Sequence, residues 1–203
     1  MKYLVITMIW AGYCFLHSFM ISIWFSNIMK RLLKEYYAFY RLFFVLVSTL
    51  LLFPIISYTI QLDHEVVIKY SMTLNIFRYI LIALGVLVFV KAFLIDYDVL
   101  HFLGFRQAMK FNTTEIEIPN TELKKSGLLG IVRHPMYFAV VVLLWCHSFT
   151  IADVIVNALL TIYVVIGTFL EERKLLVEFG DSYIRYQNEV PMLIPFTRWR
   201  TKN

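Results

Sequence analysis

Two short stretches carry most of the residues in this chain that could do chemistry. "RHPMY", Arg133 to Tyr137, opens a long apolar run, and "EERK", Glu171 to Lys174, closes it. Two adjacent carboxylates bordering lipid are costly unless something cationic is held there. Pro135 fits the first turn of a helix, where its missing N–H costs nothing. Ahead of it, the glycines of "SGLLGIV" let backbone approach a ligand closely. A plainer reading exists, in which Arg133 is a snorkelling interface residue and Glu171 pairs with Arg133 or Lys174.

These stretches need elements that bring them together. About 37 residues separate Arg133 from Glu171, and as one helix they would run about 55 Å. That is well beyond a hydrocarbon core of roughly 30 Å. A hairpin of two short spans turning near Ser148–Asp153 fits instead, and it returns the chain to its own side. The histidine stretch and the glutamate pair then share one interface on neighbouring helices.

The composition supports a membrane setting. The chain of 203 residues is 60% hydrophobic and 16% charged, against roughly 45–50% and about 25% in soluble domains. Charge is absent from Tyr3–Met29, Leu42–Leu62, Tyr79–Val90, Pro135–Ala152 and Val154–Leu170. The expected fold is an all-α integral membrane protein forming a single domain over 1–203. It has about five transmembrane helices, near 3–27, 40–61, 75–95, 135–150 and 152–171, the last two a tight hairpin. The first block is too long for a cleavable signal's apolar region. Lys30, Arg31, Lys34 and Arg41 crowd the first connection, and Arg106, Lys110, Lys124, Lys125 and Arg133 the third. The positive-inside rule then places the N-terminus outside and the C-terminus in the cytoplasm, with segments 96–134 and 171–203 on the cytoplasmic face. The net charge of +5 reflects this bias rather than nucleic-acid binding. Cys14 and Cys146 sit inside apolar blocks and read as core residues, not a disulfide. Neither they nor the five histidines show metal-ligand spacing.

Within the third connection, "NTTEIEIPN" alternates as a short extended segment would. Past Leu170, Leu175, Leu176, Phe179, Tyr183 and Tyr186 recur at helical steps opposite Lys174, Glu178, Asp181 and Arg185, an amphipathic pattern interrupted by Gly180. "VPMLIPF" then ends the helix with two prolines and forms an apolar cluster suited to a lid at the cytoplasmic face.

The combined pattern, "GLLGIVRHPMYFAVVVLLW" followed by "EERKLLVEFGDSYIRYQNEVPMLIPF", resembles the isoprenylcysteine carboxyl methyltransferase and phospholipid methyltransferase superfamily over about Gly127 to Phe196. "FLHSFMIS" and "YRLFFVLVSTLLLFP" look like its NnrU-like and methanethiol S-methyltransferase branch. The resemblance implies a membrane enzyme that binds S-adenosyl-L-methionine at the cytoplasmic face of a cell (inner) membrane, without a dinucleotide-binding fold. Carried over by position, Gly127, Leu128, Leu129, His134, Tyr137, Glu171 and Glu172 would hold the cofactor, with Glu172 foremost at its cationic end. Arg133 and Glu172 would be the catalytic pair, Arg133 orienting cofactor or acceptor. The sequence departs from the commoner pattern by having Leu-Leu-Gly after Gly127, where an aromatic is often seen.

The implied partners are a small or lipophilic substrate and membrane lipid, with no nucleic acid and no obligate protein partner. A thiol such as methanethiol leads as acceptor, ahead of an isoprenylcysteine carboxylate or a phospholipid amine. A membrane reductase using NADPH and a non-catalytic NnrU-like factor are the rival classes. Inside the spans, His17 either lines an acceptor tunnel or bonds a neighbouring helix, and His147 is read as doing the latter.

Overall fold

The computed structural model describes residues 1–62, 65–67, 70–111 and 123–197, and among them every regular element is helical. "NTTEIEIPN", at 112–120, and part of the second connection lie outside the described residues. The described residues gather into two compact units.

The first unit begins with α1 (Lys2–Ile21), α2 (Ile23–Leu33) and α3 (Tyr40–Leu62), the last two joined by a 3-10 turn at Lys34–Phe39. The first apolar run is therefore not one span of 3–27. Ser22 adopts extended backbone, and its hydroxyl donates to Phe19 O at 2.8 Å and accepts from Phe25 N at 3.2 Å. One serine thus closes α1 and caps α2. The basic last turn of α2, with Lys30 and Arg31, complements the negative end of its dipole. α1 and α3 are tied by polar bonds inside an apolar setting: Trp10 Nε1 donates to Thr59 Oγ1 at 3.0 Å, and Tyr13 donates to Ser48 O at 3.3 Å. His17 lies between the rings of Tyr13 and Phe44. Two short helices, α5 (Val99–Leu103) and α6 (Phe105–Met109), meet at Gly104. Its φ of +93°, and the 2.6 Å that would separate a Cβ from Leu42 N, allow only glycine there. Arg41 Nε donates to Phe102 O at 2.9 Å, fixing that turn against α3.

The second unit holds α4 (Met72–Lys91), α7 (Pro135–Trp145), most of α8 (Ile151–Phe179) and α9 (Asp181–Glu189). Gly85 lets α4 approach α7 closely: a Cβ there would lie 3.1 Å from Leu143. α4 runs into a π-helical turn, Ala92–Asp96, closed by Tyr97 N donating to Ala92 O at 2.9 Å. At the other end of α7, Trp145 Nε1 donates to Thr161 Oγ1 at 2.9 Å and so holds α8. α8 starts in a reciprocal box, with Thr150 N donating to Asp153 Oδ2 at 2.9 Å and Asp153 N to Thr150 Oγ1 at 3.2 Å.

Four helical stretches, Lys2–Ile21, Ile23–Leu62, Met72–Asp96 and Ile151–Phe179, are long and apolar enough to cross a membrane. The fifth expected span, 135–150, is helical only over the 11 residues of α7, about 16 Å. Large side chains such as Leu50, Phe53 and Leu87 are exposed on these helices, as a lipid-facing surface requires. Cys14 and Cys146 are buried and free, as expected of core residues. The amphipathic tail forms two helices, because Gly180, at φ +53°, breaks it between α8 and α9. Tyr183, Tyr186 and Val190 pack there against Leu123, Leu175 and Phe179, while Leu176 faces outward.

Candidate functional site

Arg133 and His134 immediately precede α7, with Pro135 at its first position. The main-chain N–H of Arg133 donates to Pro191 O at 2.9 Å, and that of His134 to Met192 O at 3.1 Å. Donors that a helix start leaves unpaired thus pin the stretch after α9 to the head of α7.

The side chains then converge on Glu172. Arg133 donates Nε to Oε1 at 2.9 Å and Nη2 to Oε2 at 2.7 Å, the two-pronged geometry that suits guanidinium and carboxylate. His134 Nε2 lies 2.7 Å from Oε1, Tyr183 donates to Oε1 at 2.7 Å, and Gln187 Nε2 donates to Oε2 at 2.7 Å. Arg133 Nη1 is spent on Gln187 O at 3.1 Å and on Val190 O. An ionised carboxylate offers about four lone-pair positions. Those of Glu172 are filled. Burial, then the bond to Glu172, push the Tyr183 hydroxyl well above the ordinary tyrosine range, and burial pushes Tyr186 up to about 12. Both stay protonated donors near neutral pH.

Glu171, one residue earlier, has different surroundings. Among the described residues its Oε2, the buried tip of a side chain 35% exposed, has no hydrogen-bond partner, nor has His134 Nδ1, 3.7 Å away. A carboxylate only accepts, so His134 serves Glu172 through Nε2–H, while its Nδ1 faces Glu171 Oε2 across a gap too long for a hydrogen bond. Tyr137 stacks on His134, with centroids 5.5 Å apart, and its hydroxyl bonds Glu171.

A second carboxylate oxygen without a partner among the described residues is Asp96 Oδ2, on a residue only 6% exposed. Asp96 ends the π-helical turn, where Lys124 Nζ donates to the main-chain oxygens of Ile95 and Asp96 at 2.9 Å each. Above its carboxylate runs the 3-10 turn Gly127–Gly130. Gly127 has φ +67°, and a Cβ there would lie within 2.4 Å of Asp96 Oδ1, so only glycine fits. Tyr186 holds the turn by donating to Leu129 O at 2.6 Å. Burial, then the charges of Glu171 and Asp96 and the neighbouring Tyr186, raise the pKa of Tyr97. Its hydroxyl also remains a donor.

The residues singled out from the sequence therefore separate. Arg133 and Glu172, expected to touch cofactor or acceptor, bond each other, and Glu172 also accepts from Tyr183 and Gln187, which ties α7, α8 and α9 together. Glu171, His134, Tyr137 and Gly127 share the other side with Asp96 and Tyr97, and Leu128 and Leu129 form the half-buried turn beside them. Asp96, Tyr97 and Gln187 escaped the sequence reading. The signal for Asp96 was its place as the first carboxylate after the third apolar run. Two carboxylates with buried oxygens that lack partners among the described residues fit a cationic ligand and would repel a phosphate-bearing one.

No family model matches the chain, and no solved structure matches it. Curated proteins do. It is 36% identical to a methanethiol S-methyltransferase of Crocosphaera subtropica over 124 residues, 60% of this chain and 48% of that one. To methanethiol S-methyltransferase 2 of Bradyrhizobium diazoefficiens it is 35% identical over 135 residues, 64% of this chain and 51% of the relative. A Pseudomonas deceptionensis methanethiol S-methyltransferase is 42% identical over 72 residues, 35% and 28% of the two chains. The chain spans about half the length, or less, of these relatives.

Proposed function

We propose that the chain is a membrane methyltransferase that uses S-adenosyl-L-methionine to methylate a small thiol, methanethiol first. The observation that carries this reading is a pair of buried carboxylate oxygens, Asp96 Oδ2 and Glu171 Oε2, that have no partner among the described residues. A group of this kind is costly to leave unmet, and a sulfonium donor brings the positive charge that meets it. The names of the relatives support the acceptor. NADPH would instead bring phosphates to carboxylates, which disfavours the reductase.

When bound, the donor supplies an electrophilic methyl group. The chain's part is to hold it in line with the acceptor, an effect worth up to ~7–11 kcal/mol. Glu171 offsets the positive charge, and His134 and Tyr137 give Glu171 its place. The Gly127–Gly130 turn provides backbone at close range. A thiol reacts as its thiolate. Its sulfur takes the methyl as the sulfonium bond breaks, and the thiol proton passes to solvent.

In this reading α7 and the start of α8 form a short hairpin entering from the cytoplasmic side of the cell membrane. The stretch Val190–Phe196 is the lid, its near end held by Arg133 and His134 and its far end, Ile194 and Phe196, exposed at the membrane face. The N-terminus is outside. The test uses the full chain in detergent with labelled donor, offered methanethiol, a prenylated cysteine analogue and phosphatidylethanolamine in parallel. Label in dimethyl sulfide is the expected result. Label only in the lipid or the prenylcysteine would move the acceptor, and no donor binding by calorimetry would end the reading.

A further inference from the structure

Among the described residues nothing pairs with Oδ2 of Asp96. The residue is 6% exposed, and Lys124 bonds its main chain rather than its side chain. A carboxylate buried this far without compensation works against stability, and no packing reason favours it over Asn or Leu. Its surroundings are also specific. The π-helical turn, a feature frequent at functional sites, places it beneath Gly127, where any side chain would strike it. The turn also packs against α7, at whose head His134 Nδ1 lies 3.7 Å from Glu171 Oε2. Two carboxylates with buried, unpartnered oxygens therefore face one small region.

Building on the methyl-donor reading, we propose that Asp96 receives the α-ammonium group at the amino-acid end of the donor, while Glu171 answers its sulfonium. The donor carries two positive charges a few bonds apart, and the site offers two unmet carboxylates. Asp96 is thus a binding and specificity residue: it distinguishes a nucleoside carrying an amino-acid tail from one without it.

The test compares two ligands on the full chain in detergent by calorimetry. S-adenosylhomocysteine carries the ammonium group; 5′-methylthioadenosine shares the nucleoside and sulfur but lacks the amino-acid end. Asp96→Asn, of nearly equal size, should weaken S-adenosylhomocysteine about 10–100-fold, the loss expected for a charge-assisted bond. It should leave methylthioadenosine within about twofold, which also reports that the pocket is intact. Equal losses for both ligands would place Asp96 on the shared nucleoside, or in the fold, and overturn the proposal. No loss for either would overturn it too. If the unaltered chain binds neither ligand, the donor reading itself fails, an outcome distinct from an unaltered chain that binds and a variant that binds equally well.

Discussion

Glu171 and Glu172 are neighbours on one helix, yet they belong to two different regions. Around Glu172 every acceptor position is occupied, by Arg133 twice and by His134, Tyr183 and Gln187. Around Glu171 and Asp96, oxygens are buried with nothing to bond among the described residues. The difference teaches how to read buried charge. A satisfied cluster stabilises and positions, and has no capacity left for a ligand. The unsatisfied one lowers stability and is retained for what it binds. His134 joins the two, with one ring nitrogen in each.

The sharpest way to break this comparison is Arg133→Ala. Removing one partner of a buried ion pair leaves the other uncompensated, at a cost of about 3–5 kcal/mol. The expected outcome is a large fall in thermal unfolding temperature and in recovered folded protein, with and without cofactor. A stable Arg133→Ala variant that had lost only methyl transfer would give Arg133 a catalytic role after all.

Glu171→Gln should do the reverse. Its Oε2 supports nothing in the fold, so the unfolding temperature should hold or rise. Calorimetry should show S-adenosylmethionine binding weakened by about 10–100-fold, from the loss of ~1.5–3 kcal/mol. Equal stability losses in Glu171→Gln and Glu172→Gln would erase the distinction between the two regions.

Much of this was legible beforehand, and the exceptions are instructive. The apolar blocks locate α3 and α8, because lipid imposes length and polarity on any spanning helix. The meeting of Arg133 with the glutamate pair followed from chain length alone. The break at Ser22 was hidden, since a serine inside a 27-residue neutral run reads as a tolerated polar residue until its hydroxyl is seen bonding on both sides. Which glutamate was free could not be read either. That depends on Tyr183 and Gln187 arriving from α9 across the break at Gly180, and on a histidine's choice of nitrogen. Asp96 was missed because its meaning lies in what it lacks, and an unmet hydrogen bond leaves no mark on a sequence.

Tyr183→Phe refines the comparison from inside the satisfied cluster. It removes one of several donors to Glu172, at 2.7 Å, and the others remain. The bond goes to a charged group, so about 1.5–3 kcal/mol is its ordinary worth, and the remaining donors to the same oxygen bring the expectation to the lower end. Thermal unfolding in detergent should show a modest loss, with donor binding changed less than by Glu171→Gln. A binding loss exceeding the stability loss would put Tyr183 in the ligand site.

The smallest effect is expected at Tyr186, whose hydroxyl holds Leu129 O and through it the turn over Asp96. Burial raises its pKa from 10.0 to about 12. The folded state therefore keeps the proton at pH values where the unfolded chain gives it up. Stability from this group is full below about pH 10 and declines as pH rises from 10 towards 12. Tyr186→Phe removes both the bond and the titration. Near neutral pH it should cost about 0.5–1.5 kcal/mol and weaken donor binding only a few-fold, because the turn loses one of its ties. Above about pH 10 the gap between variant and parent should narrow, since the parent alone is losing stability at this residue. Thermal midpoints at ~pH 8 and ~pH 11 measure this. A gap that widened with pH would mean that the phenolate is favoured in the folded state, and that the Tyr186 hydroxyl is not the fixed donor to Leu129 on which the turn depends.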